Sequence, residues 1–145
     1  MKNRYSQILE AAKTALRGIE KHGGDLERFI ESEGMILERV DSLPHGVATI
    51  YGEMIIVVKN ENPSVEKLRI LHELGHVFLH SMCIGFYQMD DFIVKKKERE
   101  AQTFASLILF PTIDNFETEQ DFIQQSGLPP KTARLRINFF RRTGI

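Results

Sequence analysis

A single cysteine, Cys83, stands among 145 residues. One thiol makes no internal disulfide, and it excludes a zinc site built on two or four cysteines. No charge of one sign dominates: 19 basic and 20 acidic side chains leave a formal net charge of −1. That balance gives no global drive to wrap nucleic acid or to lie on an anionic membrane. Apolar runs all fall far short of the roughly 20 residues that span a bilayer. The opening segment is basic, but Glu10, Lys13, Arg17 and Glu20 interrupt what would have to be an apolar signal core, so no secretory leader is expected. Internal repeats and low-complexity tracts are missing too. Together these absences point to a reducing cytoplasm and to no membrane partner.

What remains is a globular composition, 42% apolar and 27% charged, at a length that buries a core without cross-links. We read one domain over 1–145: a helical lead-in at 1–34, a small β-meander at 35–60, two helices within 62–111, and C-terminal helices at 112–145. Ile8, Leu9, Ala12, Ala15, Leu16 and Ile19 recur at helical spacing until His22-Gly23-Gly24 stops them, and Asp25 is placed to cap a short helix ending before Gly34. Met35–Val40, Val47–Tyr51 and Met54–Val58 read as strands, with a turn at Leu43-Pro44-His45-Gly46 and a hairpin turn at Gly52-Glu53. The last run has no polar alternation, so both its faces are expected to be covered. Asn62 caps the next helix with Pro63 in its first turn. There Val65, Leu68, Leu71, Gly75 and Leu79 share an inward stripe with His72 and His76. Residues 81–97 read as a connection of weak structure, followed by a helix from Glu98 to Phe110 that ends at Pro111. Two short helices, Glu119–Gln125 and Pro130–Arg142, complete an α+β fold: a small mixed sheet of about three strands on a pair of helices, flanked by terminal helices.

The chemistry lies in His72-Glu73-Leu74-Gly75-His76. Residues four apart on a helix differ by about 40° in azimuth and one turn in height, so both imidazoles reach one ion. Glu73, rotated about 100° from His72, sits beside that ion as a base rather than a ligand. Gly75 is a poor helix former, which a helix keeps where something packs close against it. A catalytic zinc takes three protein ligands and leaves a position open. His80 is placed off the metal, about 12 Å along the axis from His72, behind the ligands or on the surface. Glu98 is the better third ligand, opening its helix where an acid also suits the dipole. Ala101 and Ala105 on the same face permit close packing. Gln102 is placed to hydrogen-bond a ligand imidazole. Glu100, about 200° from Glu98, should point away. A site of two His and one Glu takes zinc and also accommodates manganese. His22 and His45 carry no signal, and Cys83 reads as a small buried apolar residue. Lys131, Arg134, Arg136, Arg141 and Arg142 read as a solvated basic helix face, direct nucleic-acid binding being disfavoured by the neutral whole.

Two separated motifs, His72-Glu73-Leu74-Gly75-His76-Val77-Phe78-Leu79-His80 and Glu98-Arg99-Glu100-Ala101-Gln102-Thr103-Phe104-Ala105 running on to Pro111, resemble the ImmA/IrrE-type metallopeptidases. The family pattern is a His-Glu-Leu-Gly-His helix with a trailing His, then a Glu-x-x-Ala-Asn-x-Phe-Ala helix ending Leu-Leu-Met-Pro. The likeness spans most of 35–142, including Ala-Arg-Leu-Arg-Ile-Asn at 133–138. The resemblance implies a zincin fold of the gluzincin kind, with His72, His76 and Glu98 as ligands and Glu73 as catalytic base. It also implies a helix-turn-helix repressor as substrate, encoded on a prophage or mobile element, whose cleavage relieves repression. Gln102 stands where the family has Asn, and Phe110 where it has Met; neither departure removes a ligand. Two other readings stay open beside proteolysis: an antirepressor that sequesters its partner with a structural metal, and a DNA-associated regulator using the basic C-terminal helix.

Overall fold

The computed structural model describes residues 3–41, 46–50, 53–80, 91–114 and 116–145. Helix α1 (Arg4–Lys21) starts where the Asn3 side chain accepts from the Ser6 amide, and it buries Ile8, Ala12, Ala15 and Ile19. It stops at His22, whose Nδ1 donates to the Gly18 carbonyl at 2.8 Å. Helix α2 (Leu26–Ser32) is capped by Asp25, which accepts from the Arg28 amide. Gly18 allows α2 to close on α1: a Cβ there would stand 2.2 Å from Phe29 Cε1.

Three strands follow, β1 (Ile36–Val40), β2 (Gly46–Ile50) and β3 (Glu53–Lys59). The sheet is mixed, but its order is β1-β3-β2, not that of the expected meander. β3 runs parallel to β1 and antiparallel to β2. The reason lies in composition, since the most continuously apolar strand is the one that gains most from the centre. Ile56 and Val58 are fully buried and Met54 packs into the core on the same face, while Ile55 and Val57 on the other face are only partly covered. Glu53 pairs with Ile50, so it is a strand residue and not the turn residue expected. Strand pairing uses backbone groups and is indifferent to the side chain. The turn expected at Leu43–His45, the Tyr51-Gly52 link and Cys83 lie outside the described residues.

Helix α3 (Pro63–His80) begins after Asn62, whose Oδ1 accepts from the Ser64 amide at 2.9 Å. Its inward stripe starts later than expected: Val65 is exposed, whereas every residue from Ile70 to His76 is buried. The middle of α3 is thus covered all round, a position a helix reaches only inside a core. Helix α4 (Asp91–Leu109) is longer than expected. Its first two turns expose Phe92 and Ile93, so they present no apolar stripe to read. They extend a helix already nucleated by its buried half, which adds a backbone bond per residue at little cost. Helices α5 (Glu119–Ser126) and α6 (Pro130–Thr143) complete the described elements.

The main core joins Ile56 and Val58 of β3 to Leu71 and Leu74 of α3, Phe104 and Ala105 of α4, the α1 stripe and Phe139. A second cluster holds Phe122, Ile123, Leu128, Ala133 and Ile137 together under α5 and α6. Helix α4 packs on α1, α3 and α6, so its side chains meet those of three other helices. Among the described residues, no helix is long and apolar enough to cross a membrane.

Candidate metal centre

His72 and His76 are both buried on α3, and their Nε2 atoms lie 3.2 Å apart. Glu98 reaches across from α4, placing Oε2 at 2.8 Å from His72 Nε2 and Oε1 at 3.0 Å from His76 Nε2. Glu98 does so from the eighth position of its helix. The helix-start dipole therefore does not explain its placement; the α3–α4 packing does. That packing is close because Gly75 has no side chain against the Ala101 backbone. Hydrogen bonds from His72 and His76 hold the Glu98 carboxyl well below the usual carboxylate range. For His72, burial pulls the pKa down, but the Glu98 hydrogen bond and the nearby Glu73 charge outweigh it and leave it raised.

These donors fit a divalent cation. Tetrahedral ligands at zinc-like bond lengths stand about 3.3 Å apart, close to the three separations found here. The imidazoles are also held from behind. Nδ1 of His72 donates to Gln102 Oε1, which turns Nε2 toward Glu98 and His76 and would leave it as the ligating nitrogen of the neutral ring. Gln102 in turn donates from Nε2 to Thr132 Oγ1 on α6 at 2.6 Å. His76 Nδ1 lies 3.1 Å from Nδ1 of buried His80. His80 Nε2 lies 3.2 Å from Glu100 Oε1, and Glu100 accepts from Nε and Nη2 of Arg4 on α1. His80 has a lowered pKa, principally through burial. Burial raises that of Glu100, yet the bonds from His80 and Arg4 bring it down to about 2.

His72, His76 and Glu98 thus form one group that could hold a metal ion. Glu73 is buried on α3, outside that group, and its charge is felt at His72. Glu100 points away from the three donors, as its rotation required, yet it is buried and bonded rather than solvated. Arg4, Thr132 and the bonded role of Glu100 escaped the sequence reading because they act through residues distant in the chain. Arg136 departs from the expected solvated basic face. It is fully buried, its Nε donates to the Phe110 carbonyl at 2.8 Å, and Nη1 and Nη2 have no hydrogen-bond partner. A cavity of about 340 Å³ opens beside the metal group, lined by His72, Glu98 and Gln102 together with Lys95, Arg99, Lys131, Thr132 and Leu135.

Two imidazoles one turn apart, a carboxylate from a second helix and a glutamate beside the first imidazole define a metal-site protein of the His-Glu-x-x-His class. The family model for the IrrE N-terminal-like domain, an M78 peptidase family, matches residues 20–125. The chain belongs to this ImmA/IrrE-type metallopeptidase family. Membership suggests metal-dependent peptidase activity. The run at 133–138 lies beyond the matched residues. No curated protein and no solved structure matches the chain.

Proposed function

We propose that the protein is a zinc-dependent endopeptidase that cuts a helix-turn-helix transcriptional repressor at one site and so relieves repression. The observation that carries the enzymatic part is the convergence of His72, His76 and Glu98 with Glu73 beside them, in a chain of a peptidase family. Bound zinc supplies Lewis acidity toward the scissile carbonyl and acidifies water. The Glu73 carboxylate accepts a proton from the attacking water and returns it to the departing amide nitrogen. Gln102 and His80 hold Nδ1 of the two imidazoles, so that each Nε2 would be the atom offered to a bound metal. Strand β2 forms one edge of the sheet, and an extended substrate segment adds there by backbone pairing. The repressor as partner rests on family resemblance alone.

The test incubates the zinc-loaded or manganese-loaded protein with the helix-turn-helix protein encoded beside it and reads products by mass spectrometry. One metal-dependent cut, absent with Glu73→Gln although that variant retains its metal, is the expected result. A stable complex without cleavage, the same for both forms, would replace proteolysis with sequestration.

A further inference from the structure

Two basic runs are separate in the chain, one around Lys95–Arg99 and one beginning at Lys131, and the fold brings them to the same place. Lys95 and Arg99 lie on one face of α4 with Glu98 and Gln102, while Lys131 lies next to Thr132 on α6. The Gln102–Thr132 bond fastens the two helices at that point. All three cations are exposed, and all three line the cavity that His72 and Glu98 share. Among the described residues of its lining, Glu98 is the only acid, and its charge already faces the two histidines. A chain with a net charge of −1 has thus gathered three positive charges at the mouth of its metal group.

We propose that this cavity selects a peptide carrying an acidic side chain close to the scissile bond. The proposal rests on the peptidase reading above and names the substrate class for it. Positions three or four apart on a helix hold their Cβ atoms about 5–6 Å from each other. An extended peptide advances about 3.3 Å per residue. A carboxylate held by Lys95, Arg99 and Lys131 therefore belongs to a residue within about two positions of the bond lying over Glu98. A volume of about 340 Å³ takes a few side chains and not a nucleic-acid duplex, so the concave shape favours a peptide over DNA.

The experiment selects binders from a random decapeptide library on the zinc-loaded Glu73→Gln protein, and on the same protein with Lys95, Arg99 and Lys131 all changed to Gln. All three side chains are exposed, so the fold should tolerate the changes; a thermal melt checks this. Enrichment of Asp or Glu at one position on the first protein is expected, and its loss on the second. The best synthetic peptide should bind the triple variant about tenfold more weakly and lose a similar factor when its acid becomes the amide. Selected peptides without an acidic position, equal binding by the triple variant, or no enrichment at all would overturn the proposal. So would a preference for the free-acid over the amidated peptide end, which would assign the cations to a chain terminus. Competition by duplex DNA stronger than by the peptide would assign them to nucleic acid. Binding with the acidic preference, but no cleavage by the Glu73-containing protein, would sink the peptidase reading and leave the specificity standing.

Discussion

A Cβ built on Gly75 would stand 3.0 Å from both Cα and the carbonyl oxygen of Ala101. Both neighbours are backbone, so neither yields without moving α4. The centre depends on this approach, since α3 carries the histidines and α4 carries Glu98. Gly75→Ala should therefore cost about 1–3 kcal/mol despite the better helix propensity of alanine. It should also weaken metal binding by separating the donors. Urea unfolding and a metal titration measure the two effects. A variant more stable than the parent would show that the helices have slack.

Gln102 orients His72 and is itself held by Thr132. Gln102→Leu should lower metal affinity by about 10- to 100-fold while leaving stoichiometry at one ion. Thr132→Val, one step further out, should show a smaller loss in the same direction. Competition against a chromogenic chelator reads both. Equal affinities for all three proteins would mean that the His72 orientation does not depend on this bond.

The Glu100 carboxyl, at about 2, sits below its ordinary 4.5. For an acid with a lowered folded-state pKa, the stabilisation is present above the unfolded value and fades as pH falls toward the folded one. Metal-free protein should therefore lose stability between about pH 4.5 and 2 partly through this group. Glu100→Gln should be less stable than the parent near neutrality and show a flatter decline across that window. Melts in the presence of chelator at stepped pH test it, and parallel curves for the two proteins would contradict it.

Arg136 places a guanidinium where two of its nitrogens find no hydrogen-bond acceptor, and burial lowers its pKa to about 10. A charge in such a setting contributes little net stability. Arg136→Met should change unfolding free energy by no more than about 1 kcal/mol or stabilise the fold, since the lost Nε bond is offset by relief of desolvation. Chemical denaturation decides. A loss above about 3 kcal/mol would mean that the guanidinium is satisfied by groups such as bound water.

The stripe of α1, the Asp25 cap of α2 and the approximate bounds of α5 and α6 were legible in the sequence because they depend on neighbours within one or two turns. The pairing of His72 with His76 was legible for the same reason, being set by the helical repeat alone. Glu98 was found through its position on a face with Ala101, Gln102 and Ala105, although the dipole argument for it failed once α4 proved to begin at Asp91. What the chain order concealed was long-range. β3 takes the centre of the sheet, Glu100 turns to Arg4 from α1, Thr132 anchors Gln102 from α6, and Lys131 joins Lys95 and Arg99 at one cavity. Local chemistry determined which side chains could bind a metal, because helix geometry spaces them within a single segment. Only tertiary packing decided what stands behind and around them, because those partners come from helices whose sequences carry no mark of where they will dock.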